Sequence, residues 1–382
     1  MPPASSRLQT LSIFAAYAAA GVYWGTYVTS LPAFLAISGL PEAQFGWLMT
    51  LVTLGGLLTM QAMGRILHRV QALAIPVCMA AFAGGMVLFG LASGPWTLGA
   101  AMFLSGAASG ALDISLNMRV ARIESDLNIR LFNRVHALFP VAMLVASVAV
   151  GALRDNGLTP GQIFPPAAVV LLAVAALEFR AGRHQRPGSA KDSGKGTIGL
   201  RGALVLLGTL AALGAVLEGG GHTWSALFVE QALSGSPFIA GVAAAAITLG
   251  LTTGRLIAHA LEHRYRDMVI CRAAALLTIP GFIILSLAET PATAIIGFFV
   301  AGVGIGPVEP AVYRSTAKRH PEATRGRALA LVTGLAYLGF LTAPPLMGTI
   351  IQGAGWSAMW LTLIAFALTA SAITLRVPRA AP

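Results

Sequence analysis

The sequence predicts an all-α integral membrane protein: twelve transmembrane helices in two pseudo-symmetric six-helix bundles. Three observations predict it. Over half of the residues are hydrophobic (56%) and only 10% are charged, against about a quarter charged in a soluble domain. The apolar stretches repeat at spanning length, about 20 residues each. The cations fall on one side of these stretches, as described below.

The breaks at polar and Pro/Gly-rich points delimit twelve spans: 9–37, 43–66, 72–93, 95–121, 131–154, 160–181, 201–231, 236–260, 266–288, 291–316, 325–350 and 354–376. The first begins like a secretory leader, with a basic residue before an apolar run ending A-x-A. The apolar run continues through Tyr27 to Ile37, so it is read as a span. With both termini in the cytoplasm, Arg7, the loops 64–71, 119–134, 180–201, 255–272 and 314–327, and the tail hold 24 of the 25 Lys and Arg. Arg154 alone lies outside. This is the positive-inside pattern. The net charge of +11 is therefore read as membrane orientation, with no nucleic-acid partner.

The longest polar stretch, 182–200, is read as a flexible cytoplasmic linker. It divides the chain into an N-terminal bundle, 1–181, and a C-terminal bundle, 201–382. The halves echo each other. "FLSGAASGALD" (103–113) aligns with "FFVAGVGIGPVE" (298–309), so that Gly106 matches Gly302, Gly110 matches Gly306, Asp113 matches Glu309 and Asn117 falls on Tyr313. "GRILHRV" (64–70) echoes "GRLIAHA" (254–260), and "SGLPEAQFG" (38–46) echoes "SGSPFIAG" (234–241). Paired bundles of this kind place a binding site between them.

Asp113, Glu218 and Glu309 lie inside predicted spans. A charge at the bilayer centre costs about 2.5–3.5 kcal/mol on insertion scales, so each must face a cavity or a partner. Gly106, Gly110, Asp113 and Asn117 share one helical face, and the glycines let a neighbouring helix approach. Gly302, Gly306, Glu309 and Tyr313 repeat the layout. Glu218, His222 and Ser225 share a face beside Trp224. Burial favours the neutral form of a carboxyl. Asp113, Glu218 and Glu309, with His136 as a relay, are thus the candidate proton-coupling groups. The structural alternative is an ion pair, such as Asp113 with Arg119 or Arg134. For Glu309, Pro307 and Pro310 suggest instead a cap on a broken helix. Tyr23, Trp24 and Tyr27 on span one, with Asn117, His222, Trp224 and Tyr337, are candidate substrate-binding residues: rings can stack on a sugar-like solute while polar groups take its hydroxyls. Packing is the alternative for the aromatics. Cys78 and Cys271 are read as core residues.

The architecture, with Gly64-Arg65…Arg69 between spans two and three, resembles the major facilitator superfamily. That family's motif continues with an acid and Gly-Arg, where this chain has His68, Gln71 and Ala72. The resemblance assigns Arg65 and Arg69, and Arg255 in the repeat, to gating loops. "GALDISLN…RVHALFP", "LEGGGHTWSALF" and "GRALALVTGLAYLGFLTAPPLMG" look like the MosC-like (rhizopine transport) branch, related to the fucose-permease type. The resemblance implies a bacterial inner-membrane secondary transporter working by alternating access, with uptake of a sugar or inositol-like solute and protons. Efflux of drugs or metabolites and a non-transporting sensor are the alternatives. The span-five motif of drug antiporters is not evident around Phe139-Pro140, and the short termini argue against a sensor with an appended domain. No Walker loop, zinc motif or nucleophile elbow occurs, and "GVGIG" (302–306) follows no strand. The expectation is therefore a monomeric carrier in the lipid bilayer, not an enzyme, with no cofactor and no metal.

Overall fold

The computed structural model describes residues 4–127, 129–182 and 202–378. Among them there is no strand. In order, the helices are α1 (Ala4–Ser38), α2 (Glu42–Gly90), α3 (Pro95–Leu127), α4 (Phe132–Asp155), α5 (Pro160–Gly182), α6 (Ala203–Thr223) and α7 (Ser225–Leu227). A π-helical turn (Phe228–Ala232), α8 (Pro237–Leu261), α9 (Asp267–Ser286), α10 (Pro291–Ile305), α11 (Val308–Lys318) and α12 (Glu322–Arg376) follow. Lipid offers no partner to a free N–H or C=O, which is why the spans are built of helix. Among the described residues, ten helical segments are long and apolar enough to cross a membrane.

Two pairs of predicted spans run together. α2 is helical through 64–71, where a loop was expected. That stretch carries no proline, and its one glycine leaves the ladder intact. α12 joins spans eleven and twelve, with a break at Gly355, whose φ of 83° suits a residue without a Cβ. Conversely, spans seven and ten are each interrupted. Span ten breaks between α10 and α11, where Pro307 has no N–H to continue the ladder. Span seven breaks at Trp224 and continues as α7 and the π-helical turn.

The chain forms two compact units: Met1–Leu40 with Trp47–Ala190, and Pro41–Gly46 with Lys191–Pro382. Residues 183–200 of the stretch read as a linker lie outside the described residues.

In the first unit, α3 packs on α2 through the glycine face. A Cβ at Gly106 would overlap the Val52 carbonyl, and one at Gly110 the Gly56 carbonyl. Thr59 Oγ1 donates to the Ala107 carbonyl at 2.7 Å across this contact. In the second unit, Gly302 on α10 and Gly306 just after it meet the Ile247 and Leu251 carbonyls of α8 in the same manner. Small residues replace hydrophobic driving force with close van der Waals approach, the usual basis of helix association in lipid.

Arg154, the cation outside the cytoplasmic set, has a local explanation. Pro32 lies inside α1 and, having no N–H, leaves the Val28 carbonyl without its helical donor. Arg154 Nη1 donates to the adjacent Thr29 carbonyl at 2.8 Å, tying α4 to α1 within a turn of Pro32.

Candidate functional site

The first unit gathers four polar side chains from three helices. Asp113 and Asn117 stand one turn apart on α3, and Asn117 Nδ2 donates to Asp113 Oδ1 at 3.1 Å. Tyr17 of α1 donates its hydroxyl to Asn117 Oδ1 at 3.2 Å and lies 3.5 Å from His136 Nε2 on α4. The His136 ring contacts Tyr17, with centroids 4.9 Å apart, and stacks on Phe132 at 4.1 Å. His136 Nδ1 is 2.9 Å from the Phe132 carbonyl. Since a carbonyl only accepts, Nδ1 carries a proton. The start of α4, which presents Phe132 and His136, is fixed from α3: the Glu124 carboxylate accepts the backbone N–H groups of Leu131 and Phe132.

Within this group Asp113 is exposed while Tyr17 is buried. Among the described residues Asp113 has no cation at ion-pair distance. Arg119 pairs instead with Glu178 of α5, at 3.8 Å, with side chains 6% and 1% exposed. Arg134 is exposed on α4. A buried pair such as Arg119 with Glu178 holds its two charges by mutual neutralisation. Among the described residues Asp113 has no such pair.

The second unit builds a different acid cluster at the repeat-related position. Glu309 lies in the first turn of α11, where the helix N-terminus favours an anion. Tyr313 donates to Glu309 Oε2 at 3.3 Å. Arg255, on α8, reaches Glu218 Oε2 of α6 at 3.4 Å and donates from Nε to the Gly306 carbonyl at 3.2 Å. Glu218 and Arg255 are both close enough to act on the charge of Glu309. Arg255 therefore sits within a helix, joining the acid cluster to the break in span ten. Tyr337 is half-buried on α12 beside Tyr313.

The other predicted residues are placed as follows. His222 Nε2 is 3.0 Å from Thr248 Oγ1. Thr248 donates to the Ala244 carbonyl, so it accepts from His222, whose Nε2 carries a proton. His222 thus turns to α8 and not to Glu218. Trp224 is fully buried and meets Trp356 edge-on at 6.0 Å. Tyr23 and Tyr27 are buried in an aromatic cluster with Phe82, Phe34 and Phe89, and Trp24 is half-exposed at its margin. The side chains of Arg65 and Arg69 lie outside the described residues.

Tyr17 and Glu178 are the residues that sequence reasoning missed. Glu178 falls near the end of span six and reads as interfacial. Tyr17 is one of four aromatics on span one, and only the packing of α1 on α3 and α4 separates it from Tyr23 and Tyr27.

Comparison with known proteins follows the same line. The sequence is 27% identical over 371 residues to an uncharacterised MFS-type transporter of Yersinia pestis, covering 96% of each chain. It is 23% identical over 361 residues to the membrane protein MosC of Rhizobium meliloti, covering 90% of this chain and 84% of that one. Among solved structures, the nucleoside transporter NupG superposes with a TM-score of 0.74 at 14% identity, covering 98% of each chain. A bacterial homologue of the human lysosomal transporter Spinster, inward-facing, gives 0.68 at 15% identity, covering 99% of this chain and 95% of that one. At these identities the two structures speak for the fold alone. The family model described as Major Facilitator Superfamily matches residues 13–313 and 204–382, and the chain belongs to that superfamily of membrane transporters.

Proposed function

We propose that this protein is a secondary active transporter that takes up a small polar solute, sugar or inositol-like, together with protons across the bacterial plasma membrane. Both termini face the cytoplasm in this reading, and the cycle is one of alternating access. The observation that carries it is Asp113: a carboxylate inside a spanning helix, exposed, and without a cationic partner among the described residues. An ionised side chain at that depth cannot face lipid, so the space it faces admits water and solute. Such an acid has two ways to lose its charge penalty, a proton or a polar ligand, and a proton-coupled carrier uses both in turn. Asn117, Tyr17 and His136 supply donors and acceptors beside it. Glu218 and Glu309 form a second acid cluster, in which Arg255 pairs with Glu218.

The test is proton movement in proteoliposomes containing a pH-sensitive dye, with sugars, inositols, amines and common drugs added singly. Uptake predicts that one compound drives protons inward from its own side, and that Asp113→Asn abolishes this while the protein remains folded. Protons moving against the compound would replace uptake by efflux. Silence from folded protein across the panel, or proton coupling intact in Asp113→Asn, would overturn the proposal.

A further inference from the structure

In the second unit, the stretch that joins α8 to α9 carries positive charge that the surrounding protein leaves unbalanced. Its two acids are engaged from elsewhere. Glu262 accepts from Arg314 Nη1 of α11 at 3.2 Å and lies 2.9 Å from His259 Nδ1. Asp267, buried at the start of α9, accepts from Arg314 Nε at 3.1 Å and from Lys318 Nζ at 2.9 Å. Arg264 and Arg266 lie between these acids in the chain, yet both are exposed, as is Arg272 in the second turn of α9. Among the described residues, none of the three arginines has an ion pair or a side-chain hydrogen bond.

The helix that carries Arg272 is two-sided. Ile270, Cys271, Ala274, Ala275 and Thr278 are buried, whereas Val269, Arg272, Leu276 and Ile283 are exposed. At 3.6 residues per turn these four fall within about 60° of one another. In a spanning helix such a face lies against acyl chains, where an arginine is rare and must reach a polar partner. Arg272 stands five residues, about 7.5 Å, along α9 from its start. Helical Cα–Cβ bonds tilt toward the N-terminus, so its side chain runs back toward Arg264 and Arg266. Its stem then covers apolar surface while the guanidinium rises to headgroup depth. Tyr265, exposed between the other two arginines, is a residue type enriched at that depth.

We infer that Arg264, Arg266 and Arg272 form a site for the phosphate headgroup of an anionic phospholipid, whose acyl chain lies along Val269, Leu276 and Ile283. The guanidinium fork matches phosphate oxygens in geometry and charge. A zwitterionic lipid brings a cation of its own, which offsets the attraction to three arginines; a phosphatidylglycerol does not. An acidic protein segment would meet the arginines but not the apolar face below Arg272. The lipid thus supplies in one molecule both things this face lacks, a negative charge at the loop and hydrocarbon beneath it.

The experiment is native mass spectrometry of the full chain released from micelles that hold equal amounts of phosphatidylglycerol and phosphatidylcholine. The native chain should retain phosphatidylglycerol in preference. A cation near an anionic headgroup contributes about fivefold in affinity. Arg272→Gln should therefore cut the preference about fivefold, and the triple variant Arg264→Gln, Arg266→Gln, Arg272→Gln about a hundredfold. Arg272→Gln alone serves if the triple variant does not fold. Arg130→Gln, Arg180→Gln and Arg376→Gln together remove the same charge from other exposed positions and should leave the preference as it is. Phosphatidylglycerol with a diazirine in its acyl chain should label α9 in the native chain, and the triple variant should lose that label. Equal retention of the two lipids by the native chain, a preference that survives the triple variant, an equal loss in the charge-matched control, or labelling that bypasses α9 would each overturn the inference. None of these readings involves transport, so the result stands apart from the proposed function.

Discussion

The two halves place an acid at the same register and treat it in opposite ways. Glu309 stands at the start of a short helix, accepts from Tyr313 and shares Arg255 with Glu218. Asp113 stands in the body of a continuous helix, accepts from an amide, and is linked through Asn117 and Tyr17 to His136. The glycine face that precedes each acid is retained, and so is the close helix contact it makes. What differs is compensation. Among the described residues, Pro307 precedes the helix of Glu309 and Arg255 stands beside that acid, whereas Asp113 lies in the body of a helix and has no cation at ion-pair distance. Repeat symmetry therefore identifies equivalent positions without identifying equivalent roles.

The sharpest way to break this comparison is to neutralise each acid in turn. Asp113→Asn should reduce substrate-driven proton movement in proteoliposomes to the protein-free background. Glu309→Gln should retain most of it. Equal losses would show that the halves act alike. Thermal unfolding of Asp113→Asn should stay within about 1 kcal/mol of the native protein, since only one exposed hydrogen bond is affected.

Next in size is the buried ion pair of the first unit. Arg119→Leu leaves Glu178 charged and enclosed, and should destabilise the fold by about 3–5 kcal/mol. The double variant Arg119→Leu with Glu178→Leu should recover most of that in detergent unfolding experiments. A single variant as stable as the native protein would show that the pair is not what holds α3 to α5.

The glycine faces test what the halves have in common. Gly106→Ala and Gly302→Ala each drive a methyl group into a backbone carbonyl, and each should cost about 1–3 kcal/mol. A large difference between them in thermal unfolding would show that only one contact is tight. The smallest effect is expected at Arg255, whose side chain is 47% exposed. Arg255→Leu should cost about 1 kcal/mol, because solvent screens the pair with Glu218. Adding Glu218→Leu should remove that cost.

Much of the acid sites was legible in the sequence because lipid leaves a charge so few options. Asp113, Glu218 and Glu309 stand out against apolar runs, and the glycine spacing ahead of two of them announces a close helix contact. The breaks followed the same logic unevenly. Pro307 and Pro310 marked the interruption of span ten, whereas the polar stretch 64–71 continues as helix, because polarity shows where a chain meets water but not whether its ladder stops. The aromatics of span one were the least legible. Tyr17, Tyr23 and Tyr27 are chemically alike, yet one joins a polar chain and two pack in a ring cluster.

By itself the sequence determined the membrane, the helices, their repeat and the positions at which a charge must find relief. These follow from one-dimensional quantities: hydropathy, spacing and the cost of an ionised group in lipid. The tertiary structure alone decided which partner each charge took. Arg119 was available to Asp113 and went to Glu178; Arg255 left its expected loop for Glu218 and the Gly306 carbonyl; Tyr17 bridged Asn117 and His136. Partner choice depends on distances between helices far apart in the chain, and ångström-scale differences in those distances decide which charges pair.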